Sequence, residues 1–330
     1  MANNLQLELK AIREGAAIFP LTDRAFLRIP GPDATRWLNG MVTNNIAALA
    51  PGEGNYNFLL NAQGRIQGDC TIYRDPGEEP TFLLETGDWQ LETIKQTLDR
   101  FIIMDDVELS KEGMLGFGLA VEGSQASSTL TKALLTSDDE PLAPGTLNYI
   151  TRDGKLPVLV LSSTNKSAAT YELWTDSTNS QSTLLNWLRA AGATVISEEA
   201  QEAHRILSTI PKYGQDIRDR DLPQETAQTH ALHFAKGCYL GQEIVERIRS
   251  RGQVHRTFTQ FRLTGSLPDL PAPLEANGKP AGELTSAVQI GDDIVALGYA
   301  RREALDTNQP LTYAGGSAVE THISNLTSQD

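Results

Sequence analysis

The sequence predicts an α+β protein whose C-terminal part turns all-β, on three observations. Apolar residues alternate in several short runs and then recur every three to four positions just after a turn, as in a strand entering a helix. That strand-to-helix succession occurs twice with similar spacing. From about Val254 the helical period disappears, and short strands follow one another between Gly, Pro and Asn. At 330 residues the chain is longer than one compact core supports, so two or three domains are expected.

Residues Arg24 to Pro30 alternate like a strand, and Gly31-Pro32-Asp33 opens a helix carrying Ala34, Trp37, Leu38 and Met41. Tyr56 to Leu60 and Ile66 to Tyr73 form a hairpin across Asn61-Ala62-Gln63-Gly64, residues that tolerate positive φ. The repeated pattern comes next. Phe82 to Thr86 leads through Gly87-Asp88 into a helix with Leu91, Ile94, Leu98 and Phe101, capped by Asp88. Tyr171 to Thr175 leads into a helix with Leu184, Leu185 and Leu188 that stops at Gly192, a good residue for a left-handed terminus. The final strands are Arg256 to Leu263, Gly282 to Val288, Asp292 to Tyr299 and Thr321 to Ser324, with Asn277-Gly278 as a type I′ turn; a small antiparallel barrel or sandwich accommodates them.

Composition narrows the function. The chain has 28 basic against 42 acidic residues, a formal charge of −14, which repels phosphate backbones and anionic lipid; direct nucleic-acid binding is not expected. Cys70 and Cys238 are the two cysteines, far apart and in no Cys-x-x-Cys pair, so neither a disulfide framework nor a thiol-rich metal site is predicted. A reducing, cytoplasmic location fits. No apolar h-region follows the mixed Met1 to Gly15 stretch, and the most apolar run, Leu156 to Leu161, is far short of the ~20 residues that span a membrane. Nucleotide-binding glycine loops and the Gly-x-Ser-x-Gly elbow do not occur.

Reactive side chains concentrate between His230 and Arg256. Gly237 and Gly241 bracket Cys238-Tyr239-Leu240, and Gly241 to Ile248 reads as a helix with Ile244, Val245 and Ile248 on its core side. Cys238 is placed just ahead of a helix amino terminus, where unpaired N–H groups and the Lys236 ammonium favour the thiolate. The alternative is a small, inert, buried cysteine. Cys70, in a strand without a close basic neighbour, reads as unreactive. Arg247, Arg249 and Arg251 form the densest basic cluster, either an anion receptor or a solvated helix end complementing the dipole. The five histidines show no metal-ligand spacing.

The octapeptide Lys236-Gly237-Cys238-Tyr239-Leu240-Gly241-Gln242-Glu243 resembles the YgfZ family of folate-binding proteins, relatives of the aminomethyltransferase of the glycine cleavage system. Further similarity lies in Gly31 to Ala34, Gly40-Met-Val-Thr-Asn-Asn45, Gly64-Arg-Ile66, Ile210 to Asp216, Leu222-Pro-Gln-Glu225 and Arg251-Gly252, reaching about Ala300. The resemblance implies a three-domain ring around a central folate site: an N-terminal α+β folate-binding region over 1–110, a second α+β unit with the octapeptide over 111–252, and a small antiparallel β-barrel over 253–330. It implies a tetrahydrofolate ligand, or another reduced folate, and service to iron–sulfur proteins, through which some tRNA modifications depend on the family.

By the same resemblance, Cys238 and Lys236 carry the chemistry. Glu225 falls where the transferases set a glutamate on the pterin, whose amino-pyrimidinone edge offers two parallel N–H donors. Asn44 and Asp69 line the same cavity, and Arg24 stands where relatives place an aromatic ligand contact. Tyr239, Gln242 and Glu243 belong to the ligand-binding loop. The chain departs from the transferases in having Gly68-Asp69 instead of an Asp-Asp pair, and Cys238 where they carry an acidic residue. The expected function is therefore a folate-binding accessory of iron–sulfur cluster assembly and repair that uses the Cys238 thiol. The alternatives are a folate-dependent aminomethyl- or methyltransferase and a non-catalytic scaffold.

Overall fold

The computed structural model describes residues 2–113, 115–135, 142–152, 156–163, 170–252, 254–306 and 310–321. Helix α1 (Ala2–Glu14) and strand β1 (Ala17–Leu21) lead into a first α+β unit: β2 (Arg24–Pro30), α2 (Ala34–Met41), β3 (Gly54–Leu60), β4 (Ile66–Arg74), β5 (Thr81–Gly87) and α3 (Asp88–Asp99). After the short β6 (Ser110–Lys111) the same succession repeats as β7 (Phe117–Glu122), α4 (Ala126–Leu134), β8 (Leu147–Arg152), β9 (Leu156–Ser162), β10 (Thr170–Thr175) and α5 (Thr178–Ala190). Strand β11 (Thr194–Val195), helix α6 (Glu198–Leu207), a largely irregular segment and α7 (Gln242–Arg251) follow. The remaining strands, β12 (Arg256–Gly265), β13 (Ala272–Ala276), β14 (Lys279–Ile290), β15 (Asp293–Arg301), then helix α8 (Arg302–Leu305), β16 (Leu311–Tyr313) and β17 (Gly316–Thr321), close an antiparallel barrel in the order β12-β15-β14-β13-β16-β17.

The duplication read from the strand-to-helix pattern extends to sheet order. The first sheet runs β3-β4-β5-β2-β6 and the second β8-β9-β10-β7-β1-β11, so β3, β4, β5 and β2 occupy the places of β8, β9, β10 and β7. The next strand of each sheet is exchanged. Strand β1 leads into β2 but pairs antiparallel with β7, whereas β6 precedes β7 and pairs with β2. The second sheet thus draws on chain from both sides of residue 110.

One core lies between the sheets, with Phe26, Tyr73 and Leu83 facing Phe19, Leu161 and Trp174. Gly118 makes this packing possible: a Cβ there would sit 2.6 Å from the Trp174 ring, which meets Phe26 edge-on at 4.9 Å. Each sheet covers its other face with its own helices. Trp37, Leu38, Leu91 and Ile94 belong to the first of these cores, and Leu130, Leu184 and Leu188 to the second.

Local expectations differ from the structure in a few places. Asp88 is the first helical residue of α3 and not its cap; the N-cap is Gly87, and the Asp88 N–H donates to the Asp23 carbonyl. Phe101 lies past the end of α3 and is exposed, while its carbonyl receives the Trp37 indole N–H. Of the three apolar residues on α7, Val245 is fully buried and Ile244 and Ile248 are half-buried. The last barrel strand is Gly316–Thr321, and the expected continuation to Ser324, with His322, lies outside the described residues. Asn277 and Gly278 both have positive φ, 51° and 72°, as a type I′ turn requires. No described helix is long and apolar enough to cross a membrane.

Candidate functional site

Residues 208 to 241 carry little regular structure, so side chains must satisfy their backbone. Asp216, fully buried, anchors the segment: its carboxylate accepts from the Lys212 N–H (2.9 Å), the Ser286 hydroxyl (2.7 Å) and Arg205 (2.7 Å), tying it to α6 and the barrel. The segment then lies against the first α+β unit. The Thr43 hydroxyl donates to the Ala231 carbonyl (2.7 Å), the His233 N–H to the Thr43 carbonyl (3.1 Å), and the Leu240 N–H to the Gly40 carbonyl (3.1 Å). Two stretches that the sequence separates by about 190 residues are therefore one structural unit.

Asn44 and Lys236 belong to this seam. The Asn44 amide donates to the carbonyls of Tyr56 (3.0 Å) and His230 (2.8 Å), and its oxygen accepts from the Asn45 N–H, so three of its four possible hydrogen bonds are made to backbone. Lys236 is buried, donates to the carbonyls of Val42 (2.8 Å) and Asn44, and lies 5.1 Å from the centre of the Tyr239 ring. Burial against neutral carbonyls pulls its pKa down to about 7. Its ammonium is thus directed into the seam and makes no hydrogen bond to Cys238.

Gly241 explains how the loop closes. It has φ 83°, and a Cβ there would stand 2.6 Å from the Asn61 carbonyl; Gly64 on the hairpin has no room for one either, because Ile244 lies 2.7 Å away. Backbone packs directly on backbone, which only glycine permits. Between the anchors the chain is open: Gly237 and Cys238 are exposed, whereas Lys236 and Tyr239 are buried. Gln242 Oε1 accepts from the Tyr239 N–H (3.1 Å). Glu243 is exposed and pairs with Arg247 on its own helix (3.0 Å). Arg249 pairs with Glu246 and covers the Phe234 ring, so the basic cluster is largely matched within its own surroundings. The other thiol, Cys70, is buried in the first sheet, and burial pushes its pKa well up.

A pocket of about 400 Å³ opens nearby, lined by Trp89, Tyr213, Gly214, Arg218, Asp219 and Arg220. Trp89 and Tyr213 stack at 5.6 Å, and Gly214 leaves space for the indole. The Tyr213 hydroxyl donates to Asp219 (2.6 Å); burial raises its pKa, and the charges of Asp219, Asp69 and Asp221 raise it further. Asp69 itself accepts from the Tyr56 hydroxyl (2.7 Å) and the Gln90 amide (2.9 Å), two neutral donors that orient the carboxylate without neutralising it. An apolar cluster of Phe58, Leu60, Tyr213, Ile217, Tyr239 and Val245 joins this side to the Cys238 loop.

Glu225 is largely buried in a short 3-10 turn. Its Oε2 accepts from the Leu222 N–H (3.2 Å) and from Arg256 (3.0 Å), while Oε1 has no hydrogen-bond partner among the described residues. Arg256 also holds Asp221 (2.6 Å) and lies over the Tyr299 ring. Arg24 is elsewhere, between the two sheets, paired with Glu85 (3.3 Å) and Glu172 (3.9 Å). The structure thus joins Asn44, Lys236, Tyr239 and Gln242 in one seam and gives Asp69 a neighbourhood of its own beside Tyr213. Glu243 remains on the outer surface of α7. Sequence reasoning did not single out Tyr56, Trp89, Gln90, Tyr213 or Arg256 as site residues, although Tyr213 lies inside the quoted Ile210 to Asp216 run.

Comparison with known proteins agrees with this architecture. The chain is 29% identical over 270 residues to the mitochondrial iron–sulfur cluster assembly factor IBA57 homolog of Neurospora crassa, a match covering 78% of this chain and 56% of that protein. The chain thus spans little more than half the length of that relative. It is 24% identical over 328 residues to an aminomethyltransferase of Synechocystis sp., covering 93% of this chain and 83% of the relative. The crystal structure of the glycine cleavage system aminomethyltransferase T from Bartonella henselae superposes with a TM-score of 0.82 at 19% identity, over 96% of this chain and 88% of that one, and so shares the fold, terminal barrel included. The profile of the GCVT N-terminal domain matches residues 1–236, which is more than two thirds of the sequence, and the protein belongs to that family.

Proposed function

We propose that this chain is a tetrahydrofolate-binding protein of the YgfZ type that serves iron–sulfur cluster assembly and repair, presenting the Cys238 thiol beside its folate pocket. The observation that carries the reading is the contrast within four residues: Lys236 and Tyr239 are buried and held, and the thiol between them is exposed. A loop fixed at both ends loses little entropy when its tip engages a partner. Likeness to an assembly factor named for iron–sulfur clusters supports the same role. The partners are then iron–sulfur proteins, effects on tRNA modification are indirect, and the acidic chain makes no direct nucleic-acid contact. Tetrahydrofolate fits Glu225, whose Oε1 is free to accept from the amino-pyrimidinone edge.

A second reading, a folate-dependent aminomethyltransferase, is favoured by one feature. Asp69 is oriented by Tyr56 and Gln90 in the manner of a carboxylate that positions an amine. Calorimetric titration of tetrahydrofolate into the wild type, Cys238→Ser and Glu225→Gln separates the possibilities, combined with assays of iron–sulfur enzymes in cells in which each variant replaces the protein. The accessory reading expects folate binding to survive Cys238→Ser and weaken about tenfold in Glu225→Gln, with iron–sulfur enzyme activity lost in Cys238→Ser. Full activity in the Cys238→Ser cells would exclude it. Absence of folate binding by the wild type would leave a scaffold.

A further inference from the structure

The interface between the two α+β units holds a group of charges that the proposed function does not use. Glu85 on β5 is 4% exposed within a strand buried along its whole length, and it faces Glu172 on β10 of the other sheet. Arg24 on β2 stands between them, 3.3 Å from Glu85 and 3.9 Å from Glu172. The approach to Glu85 is not aligned for a hydrogen bond, and Glu85 Oε1 remains buried without one. Glu172 takes the Trp174 indole N–H on Oε2 (3.1 Å). Asp23, just before β2, and Asp69 on β4 add negative field at Arg24, while Cys70 and Tyr73 on β4 stay neutral chiefly because burial raises their pKa values. One guanidinium, its own side chain 41% exposed, therefore faces a buried carboxyl group, Glu85, and a half-buried one, Glu172, with two further acidic residues near it.

Two carboxyl groups that share one guanidinium, one of them buried, retain one proton between them, because desolvation and mutual repulsion both oppose the second ionisation. We propose that Glu85 and Glu172 form a one-proton latch between the two α+β units, closed when a single proton bridges the facing carboxyls beside Arg24 and weakened when that proton is released to solvent. Burial, then the Glu172 charge, push Glu85 up to about 8 against the pull of Arg24. An unfolded glutamate titrates near ~4.3, so the folded state holds the extra proton between these values. Stability from the latch is complete below the lower value and is lost as pH rises through the upper one. The inference is independent of the ligand.

The test compares urea unfolding midpoints of the wild type and Glu85→Gln from pH 4.5 to 9.5. Glutamine is uncharged throughout and can still donate to Glu172. The expected result is that the midpoint of Glu85→Gln relative to the wild type rises continuously up to about pH 8 and is level above it. Infrared spectra of the wild type at pH 7 should also contain a protonated carboxylic acid band that disappears on raising the pH to 9.5 and is missing from both Glu85→Gln and Glu172→Gln. Parallel midpoint profiles, or a wild-type spectrum at pH 7 without that band, would overturn the proposal. The wild-type infrared titration decides the matter alone if neither variant folds.

Discussion

Helix α5 of the second α+β unit begins as a stable helix should: Ser177 caps it by accepting the Ser180 N–H (3.2 Å), and Asp176 receives the Ser180 hydroxyl. Helix α3, in the same place in the first unit, has a glycine at the cap and no side-chain cap bond. Its first turn instead exposes Trp89 at 57% and buries Gln90 against Asp69. The ends of the two helices differ likewise. Helix α5 stops at Gly192, where an added Cβ would meet nothing within 4 Å. Where glycine is used in the first unit's seam, an added Cβ would collide, with the Ile244 side chain at Gly64 and with the Asn61 carbonyl at Gly241. The capping rule is obeyed at the start of α5 and relaxed at the start of α3, in the unit that residues 208 to 241 return to cover, as expected where a site is built at the expense of a stable helix start.

The sharpest way to break this contrast is through those glycines. Gly241→Ala should cost about 2–4 kcal/mol, from the left-handed backbone plus the collision with Asn61, and should detach the Cys238 loop. Gly192→Ala, strained only in its backbone, should cost about 1 kcal/mol. Urea midpoints measure both, and alkylation of Cys238 should accelerate in Gly241→Ala alone. Equal costs would mean that the seam is not specially packed.

Lys236 provides the next largest effect, and it depends on pH. Its folded pKa of about 7 lies below that of an unfolded lysine, near ~10.4, so the folded state sheds a proton that the unfolded chain keeps. Stability therefore rises with pH from about 7 upward, by at most ~1.4 kcal/mol per pH unit. The urea midpoint of the wild type relative to that of Lys236→Met should rise from pH 7 to pH 9. A constant difference would show that the ammonium is not desolvated in the seam.

Much of this was legible in the sequence because it is local. The hairpin, both strand-to-helix entries, the Asn277-Gly278 turn and the helix after Gly241 each depend on neighbours within a few residues. The exchange of β1 and β6 was not legible: β6 is two residues long, and its partner lies more than 80 residues away. Glu85 gave no sign of its setting, since burial and the opposing Glu172 come from another sheet. The Gly40 to Asn45 run and the Cys238 octapeptide were each noticeable through resemblance, yet only the folded chain shows that they hydrogen-bond to each other. Asn44 is a case where residue type misleads: a polar side chain on a cavity-lining segment spends both its donors on backbone carbonyls and one acceptor site on a backbone N–H.

A smaller pair of changes sharpens the comparison between helix starts. Ser177→Ala should cost about 1 kcal/mol by removing a cap and leave ligand binding untouched. Gln90→Ala should cost a similar ~1–2 kcal/mol, because Asp69 loses a buried donor. Only Gln90→Ala should also weaken tetrahydrofolate binding in calorimetry; equal binding by the two variants would separate Asp69 from the pocket.

Glu243 gives the smallest expected effect and the finest test. It stands in the octapeptide that carries the resemblance, but its side chain is 83% exposed and pairs with Arg247, four residues on. An exposed pair of this kind contributes about 0.3–0.5 kcal/mol, so Glu243→Ala should move the urea midpoint barely at all. A purely internal role for the loop predicts unchanged tetrahydrofolate binding as well. If Glu243→Ala leaves stability and folate binding intact but lowers iron–sulfur enzyme activity in cells, then the outer face of α7, beside the exposed thiol, is where a partner protein is met. In that case the first unit and its covering segment would be divided between an inner surface that holds the ligand and an outer one that recognises clients.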